Sequence, residues 1–115
     1  MDAPLLNMDI PQFIQQLKAE ATWQTSDRNA MTVYKTNGLR IVLIALHEDA
    51  ILKEHTADGI ISLQVLEGEI IFSAGGQSVT ISKGQMIALH KGLPHSVKAI
   101  NESVFLLTLT TSLEA

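Results

Sequence analysis

The chain has 115 residues, the size of one domain with a core of its own and room for one site. Apolar residues make up 46% and charged residues 17%, which excludes a disordered chain, and a net charge of −4 with scattered Lys and Arg lacks the basic stripe of a nucleic-acid binder. With no cysteine, disulfides, thiol nucleophiles and thiolate zinc sites are excluded, so any metal must be held by His, carboxylate or water.

In chain order, the N-terminus carries no basic segment followed by an apolar run, and no later stretch has bilayer length. A cytoplasmic protein without a membrane partner is therefore expected. From Asp9 the spacing predicts a helix, with Ile10, Phe13, Ile14, Leu17 and Ala21 on one face and Gln12, Gln15, Gln16, Lys18 and Glu20 on the other. Asp9 suits the N-cap, Pro11 the first turn, and Gln12 the capping-box position. After Trp23, the polar run 24–29 reads as a loop. This divides the chain into an N-terminal helix with its lead-in loop over residues 1–30 and a barrel over residues 31–115.

Beyond residue 30 the period changes to alternation, and turn signals recur at short intervals. Strands are predicted over 31–36, 39–47, 60–66, 69–73, 79–81, 86–90, 96–100 and 104–110. Asn37-Gly38 and Gly75-Gly76 mark hairpins, Glu67-Gly68 reads as a third, and Lys83-Gly84 and Gly92-Leu93-Pro94 mark further turns. In the strand over 60–66, Ile61, Leu63 and Val65 alternate with Ser62 and Gln64, which assigns the odd positions to the interior. The strand over 39–47 is apolar on both faces, so the helix or a second subunit must cover one of them. That surface, in a chain rich in aliphatic residues, predicts a homodimer.

Four histidines are the candidate chemical groups. His55 precedes one strand, His90 and His95 flank the Gly92-Leu93-Pro94 turn, and His47 ends the strand over 39–47. Imidazole binds metals and moves protons near neutral pH, but no pair has a compact metal motif, and loop histidines in solvent are the bland alternative. Glu67 and Glu69, on either side of Gly68, read as solvated.

The segment DGIISLQVLEGE, residues 58–69, resembles the first motif of cupins, and GQMIALHKGLPHSV, residues 84–97, resembles the second. The likeness covers residues 39–110 and implies an all-β fold, a cupin double-stranded β-helix or jelly-roll barrel, here preceded by one short N-terminal α-helix. In metal-binding cupins the first motif supplies two histidines and a glutamate, and the second supplies a third histidine. On this alignment His55 and His95 match the first and third histidines, whereas Ala57 stands at the second and Ile61 at the glutamate. His90 replaces a proline and Ala99 an asparagine.

Two neutral imidazoles without a carboxylate leave a divalent transition metal short of donors, and His47 or His90 would have to complete the set. The resemblance thus implies a pocket formed by His55, Ala57, Ile61, Leu63 and His95 that holds a small-molecule ligand, with His55 and His95 facing each other across the barrel interior and metal absent or weakly held. A cupin enzyme remains open beside it: a metal-dependent dioxygenase or isomerase, or a metal-free isomerase using the histidines as acid and base. A sensor module is the third alternative, although nothing in the sequence supplies DNA-binding helices.

Overall fold

The computed structural model describes residues 4–110. The predicted helix forms as α1 (Ile10–Ala19), with the Asp9 carboxylate accepting from the Gln12 backbone N–H and Pro11 in the first turn. The chain leaves helical geometry at Glu20 and re-enters it for one further turn, α2 (Ala21–Thr25), so the lead-in holds two helices and Ala21 is not part of the first.

Nine strands follow among the described residues: β1 (Arg28–Lys35), β2 (Leu39–Leu46), β3 (Ile51–His55), β4 (Ile60–Glu67), β5 (Glu69–Ala74), β6 (Gln77–Ser82), β7 (Met86–Leu89), β8 (His95–Ala99) and β9 (Ser103–Thr110). They pair antiparallel into a five-stranded sheet, β1-β2-β9-β4-β7, and a four-stranded sheet, β3-β8-β5-β6. Successive strands alternate between the sheets from β2 to β5 and again from β6 to β9, which is jelly-roll winding.

Several expectations need correction. The run 24–29 is not a loop: Gln24 and Thr25 belong to α2, and Arg28 and Asn29 open β1, ahead of the boundary placed between residues 30 and 31. Asn29 is buried because its amide donates to the Leu17 carbonyl at 2.9 Å and to Glu20 Oε1 at 2.8 Å, tying the end of α1 to the sheet. β3 was not predicted from sequence. It is a short edge strand whose residues are mostly exposed, so it lacks an apolar alternation. Gly68 is not a hairpin glycine: β4 and β5 lie in different sheets, and the glycine carries the chain across between them. Nor are the glutamates beside it simply solvated, since Glu67 pairs with Lys18 at 3.0 Å and Glu69 accepts from Ser82 Oγ at 2.8 Å. The part of the expected barrel beyond residue 110 lies outside the described residues.

The barrel core is built from inward positions of both sheets, including Ile61, Leu63 and Val65 of β4, Ile70 and Phe72 of β5, Val97 of β8 and Phe105 of β9. The odd face of β4 is inside, as its alternation requires. A second apolar layer lies on the outer side of the five-stranded sheet, where Leu17 and Trp23 pack on Val33, Leu43, Ala45 and Val104. Thus β2 is apolar on both faces because Leu46 enters the barrel while Leu43 and Ala45 meet the helices. The helices cover that outer face, which removes one reason for expecting a second subunit. Among the described residues no helix is long and apolar enough to cross a membrane.

Candidate functional site

His95 opens β8 and His55 closes β3, and the two are register partners. They are therefore neighbours on one sheet near its rim, rather than facing each other across the barrel. Their ring centroids are 4.4 Å apart with planes inclined at 58°. His95 is 4% exposed, whereas His55 is open to solvent. The Nδ1 of His55 lies 3.0 Å from the Lys53 carbonyl and that of His95 lies 3.0 Å from the Leu93 carbonyl. A carbonyl only accepts, so each Nδ1 carries its proton and each neutral ring keeps a lone pair on Nε2. On its other side His95 stacks on Phe72, with centroids 5.7 Å apart and planes at 13°.

The loop before His95 is anchored by the Gly92 N–H, which donates to the Ala57 carbonyl at 3.1 Å, and Gly92 takes a positive φ of 80°. The first and second sequence motifs therefore meet at this end of the barrel. Ala57 packs against the core, and Ile61 and Leu63, 2% and 1% exposed, are part of it. These three positions present hydrocarbon and no donor atom. The residues present consequently do not make the full metal set of metal-binding cupins. Among the described residues, no group of three or more His, Asp or Glu side chains could hold an ion.

Neither of the other histidines joins the pair. His90 is exposed in the loop after β7. His47 follows the outer parity of β2 and sits in the helix layer: its ring stacks on Trp23 at 3.5 Å, and its Nε2 lies 3.0 Å from the Trp23 carbonyl. It fastens α2 to the sheet. His47→Ala is expected to cost about 1–2 kcal/mol in urea unfolding through loss of the stack and the hydrogen bond. The His55 and His95 NMR signals should stay in place.

The concave space is adjacent to the histidine pair. Sheet order leaves β6 and β7, the last strands of their sheets, without hydrogen bonds to each other. Between them lies a cleft of about 380 Å³, lined by Phe72, Ala74 and Gly75 from β5 and its turn, Gln77 and Val79 from β6, Ile87, Ala88 and Leu89 from β7, and Leu93. None of the five pocket residues expected from sequence lines it. The cleft nevertheless borders His95 at three points: Phe72 stacks on the ring, Ala74 is its register partner, and Leu93 supplies the carbonyl at Nδ1. Part of this wall is apolar surface left open to solvent, Val79 at 44% and Leu93 at 37% exposure.

No family profile matches the sequence, and no curated protein is significantly similar. Many solved structures share the fold. A conserved protein of unknown function from Streptococcus pyogenes superposes with a TM-score of 0.73 at 19% identity, covering 78% of this chain and 79% of that one. A cupin superfamily protein from Desulfitobacterium hafniense gives a TM-score of 0.72 at 13% identity, over 74% and 78% of the two chains. Salicylate 1,2-dioxygenase from Pseudoaminobacter salicylatoxidans, in complex with gentisate, gives 0.77 at 16% identity, over 86% of this chain and 32% of the larger enzyme. These likenesses show the fold, a cupin jelly roll, as the two sequence motifs implied.

Proposed function

We propose that this cupin-fold protein binds a small organic molecule in the cleft between β6 and β7, and that His95 senses the occupant through Phe72. The observation that carries this reading is the shared ring: Phe72 lines the cleft with one part of its surface and stacks on the buried imidazole with another. An apolar concavity beside a few oriented polar groups is the usual form of a small-molecule site. Its volume lies toward the small end of such pockets.

A second reading is an enzyme. Both imidazoles keep Nε2 free for proton transfer or for weak metal contact, and the dioxygenase named above shares the fold. The missing donors at Ala57 and Ile61 weigh against a standard metal centre, and no metal-dependent step is assigned.

The test is a fragment titration followed by amide and imidazole NMR. Ligands of the cleft should shift Val79, Leu89 and the His95 ring together. Phe72→Ala should weaken binding about tenfold or more by removing the aromatic wall. Saturable binding that moves residues elsewhere, with Phe72→Ala unaffected, would rule the cleft out.

A further inference from the structure

We infer that the cleft selects uncharged ligands, chiefly apolar molecules carrying one carbonyl or hydroxyl group that pairs with the Gln77 side-chain amide. This rests on the cleft being the ligand site. Among the described residues its wall holds no charged side chain. A carboxylate or phosphate entering it would lose water and find no cation, and a net charge of −4 adds a general repulsion of anions. An ammonium fares no better. Among its described residues the wall has no carboxylate, and Phe72 is the only aromatic ring, with His95 already stacked upon it.

Among the described residues, Gln77 is the one side chain in the wall able to hydrogen-bond. It opens β6, is exposed, and follows Gly75 and Gly76, both at positive φ with nothing within 4 Å of where a side chain would start. The amide thus stands at the tip of the β5–β6 hairpin, at the mouth of the cleft. The same hairpin borders a second depression of about 310 Å³, which shares Ala74, Gly75 and Gln77 with the cleft and where Glu54, Ser73, Ser78 and Ser96 gather. Ser73 pairs in register with both Ser78 and Ser96, and its hydroxyl lies 2.7 Å from that of Ser78. Charge and hydroxyl groups are therefore placed in that depression, leaving the cleft with hydrocarbon and a single amide. An amide offers both donor and acceptor, which suits a neutral polar group and gives no compensation to an ion.

The test uses three probes of one shape: 4-methylcyclohexanone, 4-methylcyclohexanecarboxylate and 4-methylcyclohexylamine. Each is titrated into the intact chain at neutral pH and followed by amide NMR at Val79 and Leu89. The ketone should bind at least about tenfold more tightly than either ion. Gln77→Leu should cut ketone affinity by about tenfold, the equivalent of one net hydrogen bond, while leaving the fold unchanged because the residue is exposed. Carboxylate or ammonium binding in the cleft as tightly as the ketone would overturn the selection of neutral ligands and leave the cleft as the site. An unchanged ketone affinity in Gln77→Leu would overturn the pairing with the Gln77 amide. If none of the probes moves the cleft residues, the site itself is wrong and this inference falls with it.

Discussion

Gly68→Ala is expected to unfold much of the protein at room temperature. Gly68 adopts φ +79°, and a Cβ there would sit 2.3 Å from the Glu102 carbonyl oxygen, 2.5 Å from Ser103 Oγ and 2.8 Å from Asn101 Oδ1. The first of these is backbone and cannot swing aside. The turn it would strike is also a hydrogen-bonding hub. Asn101 Oδ1 accepts from the Glu69 N–H at 2.9 Å, and the fully buried Ser103 hydroxyl meets the Glu69 and Asn101 carbonyls at 2.9 and 2.8 Å. Moving it to admit a methyl group would strip the chain crossing between the two sheets of its partners. Left-handed strain, overpacking and lost hydrogen bonds together should exceed about 4 kcal/mol, much of the stability of an ordinary domain. Gly75→Ala is the control. Its φ is also positive, at 57°, but nothing lies within 4 Å of the added atom, so only the strain of about 1 kcal/mol remains. Urea unfolding should separate the two variants by several kcal/mol. Equal losses would mean that the close approach at Gly68 relaxes at little cost.

That glycine also shows what was legible in the sequence. Its place in the Val-Leu-Glu-Gly motif revealed the fold, yet a glycine between two alternating segments looks the same whether the strands pair or part. Only the pairing of β4 with β7 and β9, and of β5 with β6 and β8, distinguishes a crossing from a hairpin. The run 24–29 departs from the expected loop for a related reason: its polarity suits exposure, whereas Asn29 spends its amide on the end of α1. β3 escaped notice because an edge strand has little to bury. Odd parity alone would put His47 inside, but β2 has a core on each face, and odd positions there meet the helices. That His55 and His95 come close follows from the motif alignment, but their side-by-side register on one sheet does not. The cleft was not, because its wall comes from strands of both sheets that never pair, and no local pattern announces which apolar residues will line a gap.

Restoring the missing donors as Ala57→His with Ile61→Glu is expected to tighten manganese or nickel binding by about a hundredfold or more over the parent chain, taking roughly tenfold per added donor. The fold supplies the reason. His55 and His95 are already in ring contact, and their Nδ1 hydrogen bonds leave both Nε2 atoms free. Ala57 is held to the loop before His95 by its carbonyl bond from Gly92, and Ile61 lies just beyond it on the inner face of β4. New donors at these two positions start from the same end of the barrel as the pair. The cost falls on the metal-free chain. Ile61 is 2% exposed among hydrocarbon, so a carboxylate there should destabilise by about 3–5 kcal/mol until a cation compensates it. The double variant should accordingly melt well below the parent in chelator and recover on adding metal, because binding to the folded state alone stabilises it. Either single change should bind only modestly better than the parent, since each leaves the ion short of one donor. Calorimetric titration and thermal melts with and without metal give both readings. A double variant that folds in metal-containing buffer yet binds no more tightly than the parent would show that Ala57 and Ile61 do not stand at the missing ligand positions, and the assignment of His55 to the first would fall with them.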